Sequence, residues 1–191
     1  MNVRNYLTGS QNALPQVYVL SDSITRDFDA NYLSAESGKN VVVLSFPGAK
    51  LEYLMQLAEI LCGSFVEKCI LMGGTCSLSS KDGYPKLGSN QLFQKVCAFE
   101  SRFSRFNSSI MLILCHILNR VRNAKNQRIL RHICRFNAKL DNWRSEGNCA
   151  DSTMILPLAP LPDSFFSDGL HLARVGTEHM QLILLSGLSS G

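Results

Sequence analysis

The sequence predicts an α/β protein, a three-layer α/β/α sandwich on a parallel, flavodoxin-like five-stranded sheet, and three observations carry that reading. Five short runs rich in aliphatic and β-branched residues recur along the chain. Between them lie stretches whose apolar residues return every three or four positions, the spacing of one helical face. The runs are also nearly unbroken in apolar character, as parallel strands covered on both faces must be, and their alternation with helices implies right-handed crossovers.

Val17 to Leu20 is the first strand, ended by the turn formers Ser21, Asp22 and Ser23. Arg26 to Lys39 is polar, contains Gly38 and reads as a connection with room for a helical turn. Asn40 to Phe46 is the second strand, stopped by Pro47-Gly48. From Lys50 to Leu61, the residues Leu51, Leu54, Met55, Leu57, Ala58 and Leu61 mark a helix that lies back on the sheet. Lys68 to Met72 is the third strand, running into Gly73-Gly74-Thr75-Cys76-Ser77. Ser79 to Ser89, with Gly83, Pro85 and Gly88, reads as a surface loop.

Asn90 to Phe106 is a second amphipathic helix, and Ser109 to Cys115 the fourth strand. The cleanest pattern lies between Ala124 and Glu146, where Ile129, Ile133, Phe136, Leu140 and Trp143 occupy one helical face. Thr153 to Leu158 is the fifth strand, closed by Pro157, Pro160 and Pro162. Asp168 to His171 follows, and Gly176 to Leu185 is a terminal helix.

At 191 residues, 46% hydrophobic and 18% charged, the chain fits one domain over 17–187, with short tails at 1–16 and 188–191. No run approaches the roughly 20 apolar residues that span a bilayer. Residues 1–16 are polar and lack the apolar stretch of a signal peptide. Seven cysteines, an odd set without a CxxC pair, read as reduced, largely buried thiols. Together these features lead us to expect an intracellular, cytoplasmic protein. His132-Ile133-Cys134 has no second ligand pair at zinc-site spacing, so no metal is expected. His116, His132 and His179 read as surface or partly buried side chains.

The chemistry concentrates at strand ends, which in a parallel sheet emerge on one edge. Ser23 stands at such an end and becomes a nucleophile if a base and an oxyanion site converge on it; otherwise it is a turn serine. In Asp168-Gly169-Leu170-His171 a carboxylate three residues before an imidazole can accept a hydrogen bond from ring Nδ1, leaving Nε2 to act as a base. Asp168 could instead cap the last helix, and Cys76 could supply a thiol nucleophile.

In these residues and their order the chain resembles the SGNH hydrolases, or GDSL-type esterases, from Val17 to about Leu185. Ser21-Asp22-Ser23-Ile24 stands where that family has Gly-Asp-Ser. Pro47-Gly48-Ala49 matches its oxyanion glycine, Gly74-Thr75-Cys76-Ser77 stands at its Gly-x-Asn-Asp segment, and Asp168 with His171 matches its closing Asp-x-x-His. The resemblance implies that Ser23 attacks a carboxylic ester, acetyl or small acyl, that His171 takes its proton, and that Asp168 fixes the imidazole tautomer. Residues Ser23, Gly48 and Cys76 would form the oxyanion hole, with no cofactor. Two positions depart from the pattern. Ser21 replaces a glycine and needs a negative φ. Cys76 replaces the asparagine with a weak thiol donor, and one lost donor costs about a hundred- to a thousand-fold in turnover. The resemblance therefore also admits an impaired domain that serves as a binding module.

Arg120 to Arg144 holds eight basic residues against one acid, Asp141, a local charge of +7 in a chain of net charge +4. Arg128, Arg131, Arg135 and Lys139 are spaced to share a helix face beside the apolar stripe. Such a face is either simply solvated or a footprint for nucleic acid or an anionic surface.

Overall fold

A computed structural model describes residues 14–78, 87–119, 127–169 and 171–189. Its five strands are β1 (Val17–Ser21), β2 (Val41–Ser45), β3 (Lys68–Met72), β4 (Met111–Cys115) and β5 (Thr153–Leu156). All neighbours pair in parallel, in the order β2-β1-β3-β4-β5, which is the flavodoxin-like order. The three-layer α/β/α class expected from the sequence is the class observed. The register is even: Leu20 pairs with Leu44 on one side and Leu71 on the other.

Side chains alternate across the sheet, and each strand therefore feeds two cores. Leu20, Cys69, Leu71, Leu112 and Leu114 point into one, which α2 (Leu51–Leu61), α4 (Ser89–Phe106) and α5 (Gln127–Ser145) close. Val17, Val19, Ile70, Met72 and Ile113 point into the other, closed by α1 (Ala30–Ser37) and α6 (Arg174–Ser189). On α5 all five residues of the expected stripe, Ile129, Ile133, Phe136, Leu140 and Trp143, are buried. Burying each such side chain contributes about 1.5–3 kcal/mol.

Several elements differ from expectation. The polar segment after β1 holds an eight-residue helix, α1, whose start is fixed by Asp29: its carboxylate accepts the amides of Asn31 (2.9 Å) and Tyr32 (3.1 Å). Thr75–Leu78 forms a short helix, α3, directly after the third strand. β5 stops at Leu156 because Pro157 cannot donate to a ladder. The last helix begins at Arg174 and runs to Ser189, burying Leu188. Its terminal carbonyls meet Lys68, whose buried ammonium donates to Leu188 O (2.7 Å) and Gly187 O (3.4 Å). Burial holds that ammonium's pKa below the ordinary lysine value. Most of the loop expected over Ser79 to Ser89 lies outside the described residues, and Ser89 itself opens α4. Among the described residues no helix is long and apolar enough to cross a membrane.

Candidate active site

Ser23 sits where β1 ends, in a 3₁₀ turn (Ser23–Thr25) that its neighbours hold from every side. Asp22, fully buried, accepts the Ile24 amide at 2.9 Å and so caps the turn. The Asp22 amide donates to Met72 O on β3, while its carbonyl accepts the Ser45 hydroxyl (2.7 Å) from β2. Phe46 N completes the frame by donating to Ser21 O. No described non-glycine residue has a positive φ, so Ser21 occupies the family's glycine position without backbone strain.

Two amides near this turn have no acceptor among the described residues: that of Ser23, in a residue only 8% exposed, and that of Gly48. Gly48 lies in the exposed turn after β2 at φ 77°, a conformation that disfavours any side chain. Cys76 is half-buried on α3.

That short helix is anchored through its neighbour Ser77, whose hydroxyl accepts the Leu51 amide (2.9 Å) and donates to Glu52 Oε2 (2.6 Å). Burial pushes the Glu52 pKa up, but the bonds from Ser77 and its own backbone, with the charge of Lys95, carry it below the ordinary value. A carboxyl depressed in the folded state contributes stability above its unfolded pKa, near 4.3, and loses it as the pH falls through its folded value. We therefore expect the acid side of the stability profile to flatten in Glu52→Gln, read as urea midpoints between pH 6 and pH 3. An unchanged slope would remove Glu52 as a contributor.

At the far end of the sequence Asp168 and His171 are brought together twice. Asp168 Oδ1 accepts the His171 amide and Oδ2 meets ring Nδ1, both at 2.7 Å. Asp168 therefore orients the imidazole and does not cap the last helix, which starts six positions later at Arg174. The loop is shaped by Ser167 N donating to His171 O and by a bridge between Phe166 and Leu172. Leu172 and Ile24, the chain neighbours of His171 and Ser23, belong to one apolar cluster. The Ser23 hydroxyl and His171 Nε2 are not hydrogen-bonded to each other, and neither has another partner among the described residues. Such bonds are often long in unliganded enzymes and tighten around substrate.

His116 corrects the sequence reading. It is 7% exposed, at the end of β4, and its Nε2 lies 2.8 Å from Asp141 Oδ1 on α5. One residue on, Asn137 grips both the amide (2.9 Å) and the carbonyl (3.0 Å) of Ile117. These contacts fasten α5 to the sheet edge. The partners are 20 and 25 positions apart, which is why no local pattern announced them. On the outer face of α5, Arg128, Arg131 and Arg135 are exposed, whereas Lys139 is drawn aside, its ammonium 5.5 Å over the Phe93 ring. All seven cysteines are free thiols, four of them buried. Among the described residues no three His, Cys, Asp or Glu side chains are grouped as metal ligands.

No family model matches the sequence, and no curated protein matches it. Comparison with solved structures is more informative. A Streptococcus pneumonia protein named for platelet activating factor superposes with a TM-score of 0.75 at 20% identity, over 93% of this chain and 86% of its own. A GDSL-like lipase from Bacteroides thetaiotaomicron gives 0.71 at 12% identity, over 94% and 91%. A lipase/acylhydrolase from Enterococcus faecalis gives 0.63 at 16%, over 91% and 95%. The chain thus has the fold of the GDSL-like lipases and acylhydrolases, the SGNH hydrolase fold.

Proposed function

We propose that the protein is a serine esterase of the SGNH kind, acting on an acetyl or small acyl ester through Ser23, His171 and Asp168. The observation that carries this reading is the doubly bonded Asp168–His171 pair, which engages ring Nδ1 and leaves Nε2 as the only nitrogen able to take a proton. Ser23 Oγ attacks the carbonyl carbon while its proton passes to His171 Nε2. The carbonyl oxygen, now negative, is held by the unpaired amides of Ser23 and Gly48. Collapse expels the alcohol, which leaves with the proton from His171, and water then cleaves the acyl-serine by the same route. With a thiol at position 76 in place of an amide donor, turnover is slow for the family.

A fluorophosphonate probe tests this directly. Labelling should occur at Ser23, vanish in Ser23→Ala and fall sharply in His171→Ala. A folded wild-type protein that takes no label would overturn the reading.

A second role has its own support on α5, where the face presented by Arg128, Arg131 and Arg135 suits a polyanion, nucleic acid or anionic lipid. His132 reports on that face. Its Nδ1 accepts the Ser89 amide (3.3 Å), and burial, then the charges of Arg135, Arg128 and Arg131, hold its pKa below the ordinary value. Added salt or a bound oligonucleotide screens those arginines, so the His132 NMR titration midpoint should rise with either. A midpoint that moves with salt but not with oligonucleotide or anionic vesicles would discount polyanion binding at this face.

A further inference from the structure

Cys76 stands where the SGNH pattern has an asparagine, and a thiol is a weak donor. The next strand delivers an asparagine of its own. Asn119 follows the end of β4 by four positions, on the same sheet edge as Ser23 and the Gly73-Gly74-Thr75-Cys76 segment. Close packing joins the three strand exits. A Cβ built on Gly73 would lie 3.5 Å from the Asp22 amide, and one built on Gly74 would lie 2.8 Å from Ile117 Cδ1. The β3 exit is therefore flanked by the residue before Ser23 and by the residue two before Asn119. β1 and β4 lie about 10 Å apart across β3, and the two glycines put no side chain between them.

The Asn119 carboxamide is unusual in its partners. The residue is partly exposed, yet its Oδ1 is buried and accepts no hydrogen bond. Its NH2 group bonds to none of the described residues, and with Oδ1 enclosed it is the end turned to solvent. Buried acceptors are ordinarily satisfied, so a carboxamide kept here with its oxygen unmet points to a demand on its other end. Ser21 Oγ and Thr25 Oγ1, on either side of the nucleophile, are also buried and unpartnered. At 0% and 1% exposure, however, neither residue can meet a ligand. Of the three, only Asn119 has an open end.

The segment that carries it is fixed residue by residue. His116 N donates to Leu156 O on β5 at 3.0 Å. Asn137 on α5 accepts the Ile117 amide and donates to the Ile117 carbonyl. Leu118, 6% exposed, is buried in the apolar cluster that also holds Ile24 and Leu172, the chain neighbours of Ser23 and His171. The three residues before Asn119 are thus tied to β5, to α5 and to the core beneath the reacting pair. A donor set in advance stabilises a developing oxyanion without reorganising first.

We propose that Asn119 is a catalytic residue whose Nδ2 donates to the oxyanion, moving that duty from the β3 exit to the β4 exit. The proposal rests on the esterase reading. In the full-length protein Asn119→Leu keeps much of the side chain's shape and removes the donor. With p-nitrophenyl acetate it should lower kcat about a hundredfold and change KM less than about threefold, with native thermal unfolding. Cys76→Asn added to that variant should recover at least about tenfold, more than the same change gains in the wild type. A short alkyl trifluoromethyl ketone gives a readout without turnover or mutation. Ser23 Oγ bonds its carbonyl carbon, the carbonyl oxygen becomes the oxyanion, and the serine proton passes to His171. The Asn119 side-chain amide protons should move downfield as this adduct forms. Unchanged kcat in Asn119→Leu, or an Asn119 amide resonance indifferent to the adduct, would overturn the proposal and leave the esterase standing. A wild-type protein that neither hydrolyses the ester nor forms the adduct would overturn both.

Discussion

Asp168→Asn should lower ester turnover about ten-thousand-fold and leave the fold intact, the size of effect that this substitution has in the Ser-His-Asp template. The reason lies in how many acceptors the residue must offer. Asp168 uses Oδ1 for the His171 amide and Oδ2 for ring Nδ1. An asparagine has one acceptor oxygen, and the fixed backbone donor claims it. Its NH2 group then faces Nδ1, which must give up its proton to accept, so the ring proton moves to Nε2. An imidazole already protonated at Nε2 cannot take the Ser23 proton. Stability should hardly change, because the Asp168 side chain is 54% exposed. Hydrolysis of p-nitrophenyl acetate measures the loss, and the 15N shifts of His171 report the tautomer independently of activity. Wild-type turnover with a switched tautomer would show that His171 is not the base.

The features legible in the sequence were those written in a short span. Strand ends, the α5 stripe and the Asp168–His171 spacing each involve residues within a few positions of one another, and hydrophobic period or turn chemistry expresses them directly. The helix α1 escaped because it buries only Ala30 and Leu33 and so has little apolar periodicity; its legible signals were the cap Asp29 and the terminating Gly38. His116 with Asp141, and Lys68 with the end of α6, escaped for another reason. Their partners lie on elements brought together by the sheet order, and nothing local distinguishes a histidine that will meet an aspartate 25 residues away from one that will face water. The departures from the family pattern divide in the same way: Ser21 needs no positive φ, although its buried hydroxyl has no partner among the described residues, whereas what Cys76 costs depends on donors contributed by other strands.

Gly176→Ala should be strongly destabilising, the added methyl meeting a closer contact than at any other of the described glycines Gly38, Gly48, Gly63, Gly73, Gly74, Gly88, Gly147 and Gly187. A Cβ built on Gly176 would stand 2.3 Å from the Phe165 carbonyl oxygen, 3.0 Å from Leu172 Cδ2 and 3.1 Å from Phe165 Cβ. The nearest of these is backbone and cannot rotate away. It is also engaged, since Phe165 O accepts the Ala173 amide at 2.8 Å where the loop enters α6. Making room means breaking that bond or lifting the helix, at about 1–3 kcal/mol for the overpacking and about 1 kcal/mol for the bond. For a chain of this size the sum corresponds to a Tm lower by roughly 10 °C. The damage should also reach the site, because the displaced segment continues into the Phe166–Leu172 bridge that frames Asp168 and His171. Gly63→Ala is the matched control, since an added methyl there meets nothing within 4 Å and its φ lies outside the left-handed region. If both variants melt with wild type, the contact between Phe165 and α6 is looser than described, and the framing of the His171 loop has to come from elsewhere.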